Sequence, residues 1–212
     1  MEENTKAVFE KLQYEVTRCH YYWILFRQLF GTNESRIHLI NKTNPSFLVM
    51  YQDLFYDYLT LELSKLTDPA EMGKFKNLTL YYLHELLKTE VDEESYNKFD
   101  SILKELSLAT EFFRIRRNKI VAHRDLISVE QKDEFGISRQ RVEDTLLIVR
   151  NYLNAIELHF YGKQTMYREF ITDINDDGTA LLINLAKSLA YDDLVEQQKI
   201  PMRLWESYGN VF

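Results

Sequence analysis

The period of the apolar residues constrains this chain most, because they recur at steps of three and four over one long stretch after another. Between about residues 139 and 161 the pattern is cleanest: Val142, Leu146, Val149, Leu153, Ile156 and Phe160 fall on one stripe of a helix turning ~100° per residue. The same spacing links Val8, Leu12, Val16, Cys19, Trp23, Phe26 and Phe30, predicting a first helix from about residue 4 to 30 that ends at Gly31. Six glycines and three prolines in 212 residues leave few interruptions, and leucine, lysine and glutamate are abundant, so the composition also favours helix over sheet.

The remaining elements follow from punctuation. Residues 31 to 44 read as a polar, turn-rich connection, and Asn44-Pro45 as an N-cap with proline at the first helical position. The helix it opens runs to about Leu66 on a stripe through Phe47 or Leu48, Tyr51, Leu54 with Phe55, Tyr58 and Leu61, and Thr67-Asp68-Pro69 stops it. A connection through Gly73, with one helical turn after the proline, precedes a shorter helix from roughly Leu78 to Lys88, opened by Asn77 or Thr79. The acidic run from Val91 to Ser95 suits the positive end of a helix macrodipole, which places another N-terminus there. The expectation is an all-α antiparallel bundle of about five main helices over residues 1–162. A C-terminal extension, residues 163–212, packs on the bundle or on a partner; within it Thr179 to about Gln197 reads as a helix or as the second strand of a hairpin.

Several chemistries drop out. His84-Glu85 starts the zinc-protease pattern, but position 88 is lysine, and Cys19 and His20 have no partners at metal-ligand spacing, so they read as packing residues. Asp173-Ile-Asn175-Asp-Asp177-Gly178 matches the first half of a calcium loop, yet position twelve is Asn184, where a bidentate glutamate belongs, so a plain Asx/Gly turn is expected. The expectation is therefore no metal and no cofactor. A single cysteine, an acidic start at Met1-Glu-Glu-Asn and the lack of any run near ~20 apolar residues point to a cytoplasmic protein with no membrane association. A net charge of −7 argues against non-specific coating of nucleic acid and leaves room for a local basic cleft.

Such a cleft is centred on residues 111 to 125, Glu-Phe-Phe-Arg-Ile-Arg-Arg-Asn-Lys-Ile-Val-Ala-His-Arg-Asp. The apolar stripe Phe99, Ile102, Leu106, Ala109, Phe113 and Ile120 skips one position, occupied by Arg117, which therefore requires an acidic partner, an anionic ligand or a wet cleft. A guanidinium fork binds phosphate, and a histidine near its free pKa passes protons at neutral pH. Together they suit attack by a ribose 2′-hydroxyl on its own phosphodiester, a reaction available to RNA and not to DNA. The basic cluster Arg114, Arg116, Lys119 and Arg124, with Arg117, would hold the strand. Six residues of regular helix rotate His123 ~240° from Arg117, so the two meet only through a local break after Asn118 or across a symmetric interface, whereas Arg116 shares the face of His123. The same residues also fit a plainer role, in which arginines at a helix C-terminus pair with the dipole and with neighbouring carboxylates and His123 caps or packs.

Arg117-Asn118-Lys-Ile-Val-Ala-His123 resembles the signature of the HEPN superfamily, an arginine, a polar residue that is often asparagine, and a following histidine. Leu63-Ser-Lys-Leu-Thr-Asp68-Pro69 and Asn77-Leu-Thr79-Leu extend the likeness to the AbiU-like branch, named for phage abortive infection, over about residues 5 to 160. The resemblance implies a metal-independent endoribonuclease in phage defence or a toxin-antitoxin pair, with RNA as substrate and a homodimer whose two motifs make a composite site. Arg117 would bind or polarise the scissile phosphate, Asn118 would orient it or the histidine, and His123 would be the acid or base. An antitoxin or other partner protein is also implied. Some relatives carry a tyrosine two residues after the histidine, where a partner enzyme modifies it; here that position is Asp125, which removes that mode of neutralisation. The alternative is a non-catalytic helical module that binds nucleotide, RNA or protein through the same cleft.

Overall fold

The computed structural model describes residues 1–31, 33–123, 126, 135–170 and 177–201. Among them the chain is all-α, with seven α-helices and one two-stranded hairpin. Helix α1 spans Glu3–Phe30, α2 Glu34–Thr43, α3 Pro45–Lys65, α4 Leu80–Leu87, α5 Glu93–Arg116, α6 Arg139–Tyr161 and α7 Gly178–Glu196.

Two differences from the sequence reading have clear physical origins. The polar stretch before Pro45 contains helix α2, because Asn33 caps it by accepting from the Arg36 backbone N–H at 3.1 Å and Ile40 supplies a buried anchor. One amphipathic turn suffices when tertiary packing holds a short helix. After Pro69 the chain forms no helical turn but an antiparallel hairpin, β1 (Glu71–Met72) with β2 (Phe75–Lys76), reversing at Gly73 with φ +63°, a left-handed conformation suited to glycine.

The other boundaries sit where the capping chemistry put them. Thr79 caps α4, Asp92 caps α5 by accepting from the Ser95 N–H at 2.8 Å, and Ser138 caps α6. Gly162 ends α6 at φ +64°. Asp177 caps α7, which excludes the hairpin alternative there; Asp173 and Asn175 of the calcium-like loop lie outside the described residues, as does most of the segment from Ile200 to Trp205.

Compactness divides the chain into residues 1–23 with 53–170, and residues 24–52 with 171–212. In the first unit Leu12, Val16 and Cys19 of α1 are buried, as are Leu59 and Leu63 of α3, Leu83 and Leu87 of α4, and Leu103 and Leu106 of α5. The α6 stripe is buried from Val142 through Ile156 as its period predicts. Helix α3 buries Leu48 and Phe55 of the expected stripe and continues through Leu59 and Leu63 rather than Tyr58 and Leu61, while Leu54 is exposed. Because α3 is apolar on several sides, its sequence admits either face. Beyond Gly162 the chain returns to α1 and α6: Thr165 exchanges backbone bonds with the Asn154 amide, and buried Tyr167 packs on His20 with ring centroids 5.5 Å apart. In the second unit Leu29, Ile40, Leu48 and Leu182 form a small core. No helix among the described residues is long and apolar enough to cross a membrane.

Candidate active site at the end of α5

Helix α5 buries Phe99, Leu103, Leu106, Thr110, Phe113 and Arg116, at steps of four and three. The guanidinium that continues the core stripe is thus that of Arg116, one residue before the position expected from Phe113 and Ile120. At 8% exposure it is held by three hydrogen bonds: Nη1 donates to Asp57 at 2.7 Å and Thr60 at 3.2 Å, and Nε to the Phe135 carbonyl at 3.1 Å. A buried charge persists where its donors are satisfied this way. Arg114 is held similarly, by Thr67 and Thr110 hydroxyls at 2.6 and 3.0 Å and by the Ser107 carbonyl at 2.9 Å. Arg116 therefore ties α5 to α3 and to the chain entering α6, and Arg114 ties it to the segment that follows α3. Lys119 is exposed, and Arg124 lies outside the described residues.

At Arg117 the helix changes pitch. Residues Arg117–Val121 form a π-helical turn, closed where the Ala122 N–H donates to the Arg117 carbonyl at 2.7 Å. Such one-residue expansions recur at functional sites, and this one lies between Arg117 and His123. Arg117 is anchored on three sides. Its Nη1 meets both Asp68 oxygens at 3.0 and 2.8 Å and Ser64 Oγ at 3.3 Å, while Nε donates to Asn118 Oδ1 at 3.2 Å. Nη2 makes no hydrogen bond to any described residue, so one edge of the fork keeps its two donors. The acidic partner that the sequence called for is Asp68. His123 lies just past the turn, exposed.

Beside Arg117 opens a cleft of about 380 Å³, lined by Lys65, Asp68, Pro69, Met72, Asn77, Leu78, Thr79 and Arg117. Its walls are fixed by backbone bonds. Leu80 N–H donates to the Leu66 carbonyl at 2.9 Å, Asn77 N–H to Ala70 at 2.8 Å, and the Asn77 amide to the Pro69 carbonyl at 2.8 Å. The hydroxyls of Thr67 and Thr110, 2.6 Å apart, pin this segment to α5. From sequence, Thr67-Asp68-Pro69 reads as a helix stop and Asn77 or Thr79 as a cap, and both segments as marks of resemblance, with no wall of a cleft among these roles. The demand for an acid beside a core arginine was the available signal for Asp57 and Asp68, but it could not say which carboxylate.

An all-helical chain whose long helix ends in a widened turn carrying Arg-Asn and then an exposed histidine has the make-up of a HEPN domain. The chain belongs to that class: the family model HEPN AbiU2, described as AbiU2, matches residues 2–181. The match runs through α6 and into α7, beyond the span over which the motifs alone carried the likeness. Neither a curated protein nor a solved structure matches the chain significantly.

Proposed function

We propose that this HEPN domain is an endoribonuclease of phage defence, cutting RNA by attack of a 2′-hydroxyl on the adjacent phosphodiester. The observation that carries the reading is Arg117, immobilised by Asp68, Ser64 and Asn118 with Nη2 left over, followed just past the π turn by an exposed His123. The fork would hold a non-bridging phosphate oxygen and stabilise the charge that builds in the transition state. A base removes the 2′-OH proton, the O2′–P bond forms, the P–O5′ bond breaks, and an acid protonates O5′, leaving a 2′,3′-cyclic phosphate and a 5′-hydroxyl. One histidine cannot be base and acid in the same step, so a second copy of the chain would bring the other His123. The outer face of α5 supports self-association, since Leu108 and Ile115 stand exposed one heptad apart and Leu126 is exposed beyond them.

The test is an RNA panel incubated with the purified chain, with and without EDTA. Cleavage that survives chelation, yields cyclic phosphate ends and is abolished in His123→Ala bears the proposal out; chelator-sensitive cleavage, or full activity in His123→Ala, overturns the mechanism. One observation favours a second reading, a binding module without catalysis: Asp68 already neutralises much of the Arg117 charge. RNA that is bound and returned intact by the parent chain would establish that reading instead.

A further inference from the structure

The cleft beside Arg117 is larger than phosphate recognition requires, and its lining is chemically mixed. Its volume of about 380 Å³ falls at the lower end of the ~300–1,000 Å³ range of small-molecule sites. On the apolar side Met72 is 70% and Leu78 42% exposed, with Pro69 beside them, so this wall faces solvent without a described protein partner. On the polar side Lys65 and Arg117 outweigh the single carboxylate of Asp68, a local positive balance in a chain of net charge −7. Lys65 is engaged by Glu62 at 2.8 Å, but the lysine is 56% exposed, which leaves its ammonium open to a phosphate as well. The side-chain amide of Asn77 is oriented by its bond to the Pro69 carbonyl, which leaves the acceptor Oδ1 without a partner among the described residues.

We infer that the cleft holds one nucleotide of the RNA strand, the residue joined to the phosphate that Arg117 binds. The base lies against Met72 and Leu78, the Asn77 Oδ1 receives an amino or imino N–H from the base edge, and Lys65 meets the next phosphate. This rests on the ribonuclease reading and adds what that reading lacks, a place where the enzyme distinguishes a base from a bare sugar-phosphate. Unstacked bases read along their edges are the usual target of proteins that recognise single-stranded RNA.

The test uses the full chain in the non-cleaving His123→Ala background, titrated into a short fluorescent single-stranded oligoribonucleotide and into an abasic oligonucleotide of the same length, followed by anisotropy. The background protein is expected to prefer the base-bearing strand by about tenfold, the scale of one base contact. Met72→Ser/Leu78→Ser, two changes at exposed positions, should erase that preference at unchanged thermal stability, while Leu158→Ser on the exposed side of α6 should leave it intact. Binding lost in Arg117→Ala but untouched in the Met72/Leu78 variant would overturn the cleft assignment and leave the ribonuclease reading standing. Failure of the background protein to bind any RNA would overturn the ribonuclease reading and this inference together. Adenosine or uridine monophosphate bound as tightly as the strand would make the ligand a free nucleotide, and the assignment to an RNA residue would fall.

Discussion

Adjacent arginines at the end of α5 should separate stability from activity. Replacing Arg116 by methionine keeps the aliphatic volume but removes three hydrogen bonds from a side chain that is 8% exposed. Asp57 is 41% exposed and regains water, so its loss costs little. The fully buried Thr60 hydroxyl retains its bond to the Tyr56 carbonyl at 2.8 Å, and the Phe135 carbonyl is left to find another donor. With ~1–3 kcal/mol for each buried polar group left imperfectly paired, the expected loss is about 2–4 kcal/mol. At ~2–4 °C per kcal/mol for a chain of this size, the melting temperature falls by about 5–15 °C. Arg117→Met removes an ion pair whose side chains are 21% and 26% exposed, with the bonds to Ser64 and Asn118; water reaches the freed groups, so the loss is about 1–2 kcal/mol. RNA cleavage by Arg117→Met should nevertheless drop ~10²–10³-fold, the scale of losing one donor to a transition-state oxyanion. Calorimetry and a cleavage assay on the two variants decide it. An Arg116→Met protein melting within about 2 °C of the parent would refute the role given to the Asp57–Thr60–Phe135 network. An Arg117→Met protein as destabilised as Arg116→Met would refute the division between a structural and a functional arginine.

Burial makes stability depend on pH. His20 is pushed down to about 4 by desolvation first and then by Arg150, below its ordinary 6.5, and His84 is pushed down by burial despite Asp100. Between about 4 and 6.5 the unfolded chain binds the proton that folded His20 refuses, so stability is whole above 6.5 and declines as pH falls through that window, by up to ~3 kcal/mol from His20. Thermal unfolding at pH 7 and 5 should show the drop, and His20→Gln should flatten it; an equal drop in both proteins would place its origin elsewhere. Gly178→Ala should cost ~1–3 kcal/mol in a urea titration, because the new Cβ would sit 3.0 Å from both the Leu25 carbonyl oxygen and Gln28 Cβ. Gly162→Ala meets open space, so only its left-handed backbone is charged, ~1–2 kcal/mol. Equal effects of steric origin at both glycines would contradict this assignment.

Legibility of the fold tracked how local its determinants were. The ends of α5 and α6 were readable because each is fixed by a side chain within three residues: Asp92 on Ser95, Ser138 on Arg141, and Gly162 on its own backbone. Helix α2 was missed because its one buried residue, Ile40, gains its value from Leu29, Leu48 and Leu182, far away in the chain. The α3 stripe, buried at the expected Leu48 and Phe55, departs after them, through Leu59 and Leu63, for a related reason. With Phe47, Val49, Met50 and Leu54 all exposed, its sequence offers more apolar surface than the core takes, and only the neighbours choose.

The same distinction governs the candidate site. Periodicity alone sets Arg117 on the stripe and asks for an acidic partner, an anionic ligand or a wet cleft there. Which arginine entered the core depended on whether the stripe advanced by three or four after Phe113, a choice between steps that sequence leaves equal. It fell on Arg116 because Asp57 and Thr60 project from α3 one turn apart, a matched set of acceptors. Arg117 was thereby turned toward Asp68, and the π turn begins at that residue. Asp68-Pro69 and Asn77-Leu-Thr79, a helix stop and a cap in sequence as well as marks of resemblance, are walls of the cleft that Arg117 lines. Three separated motifs share one cleft in which Asp68, Asn77 and Arg117 are only partly buried and Met72 and Leu78 are exposed, so packing alone does not account for them and the proposed strand-binding role has an accessible surface to use.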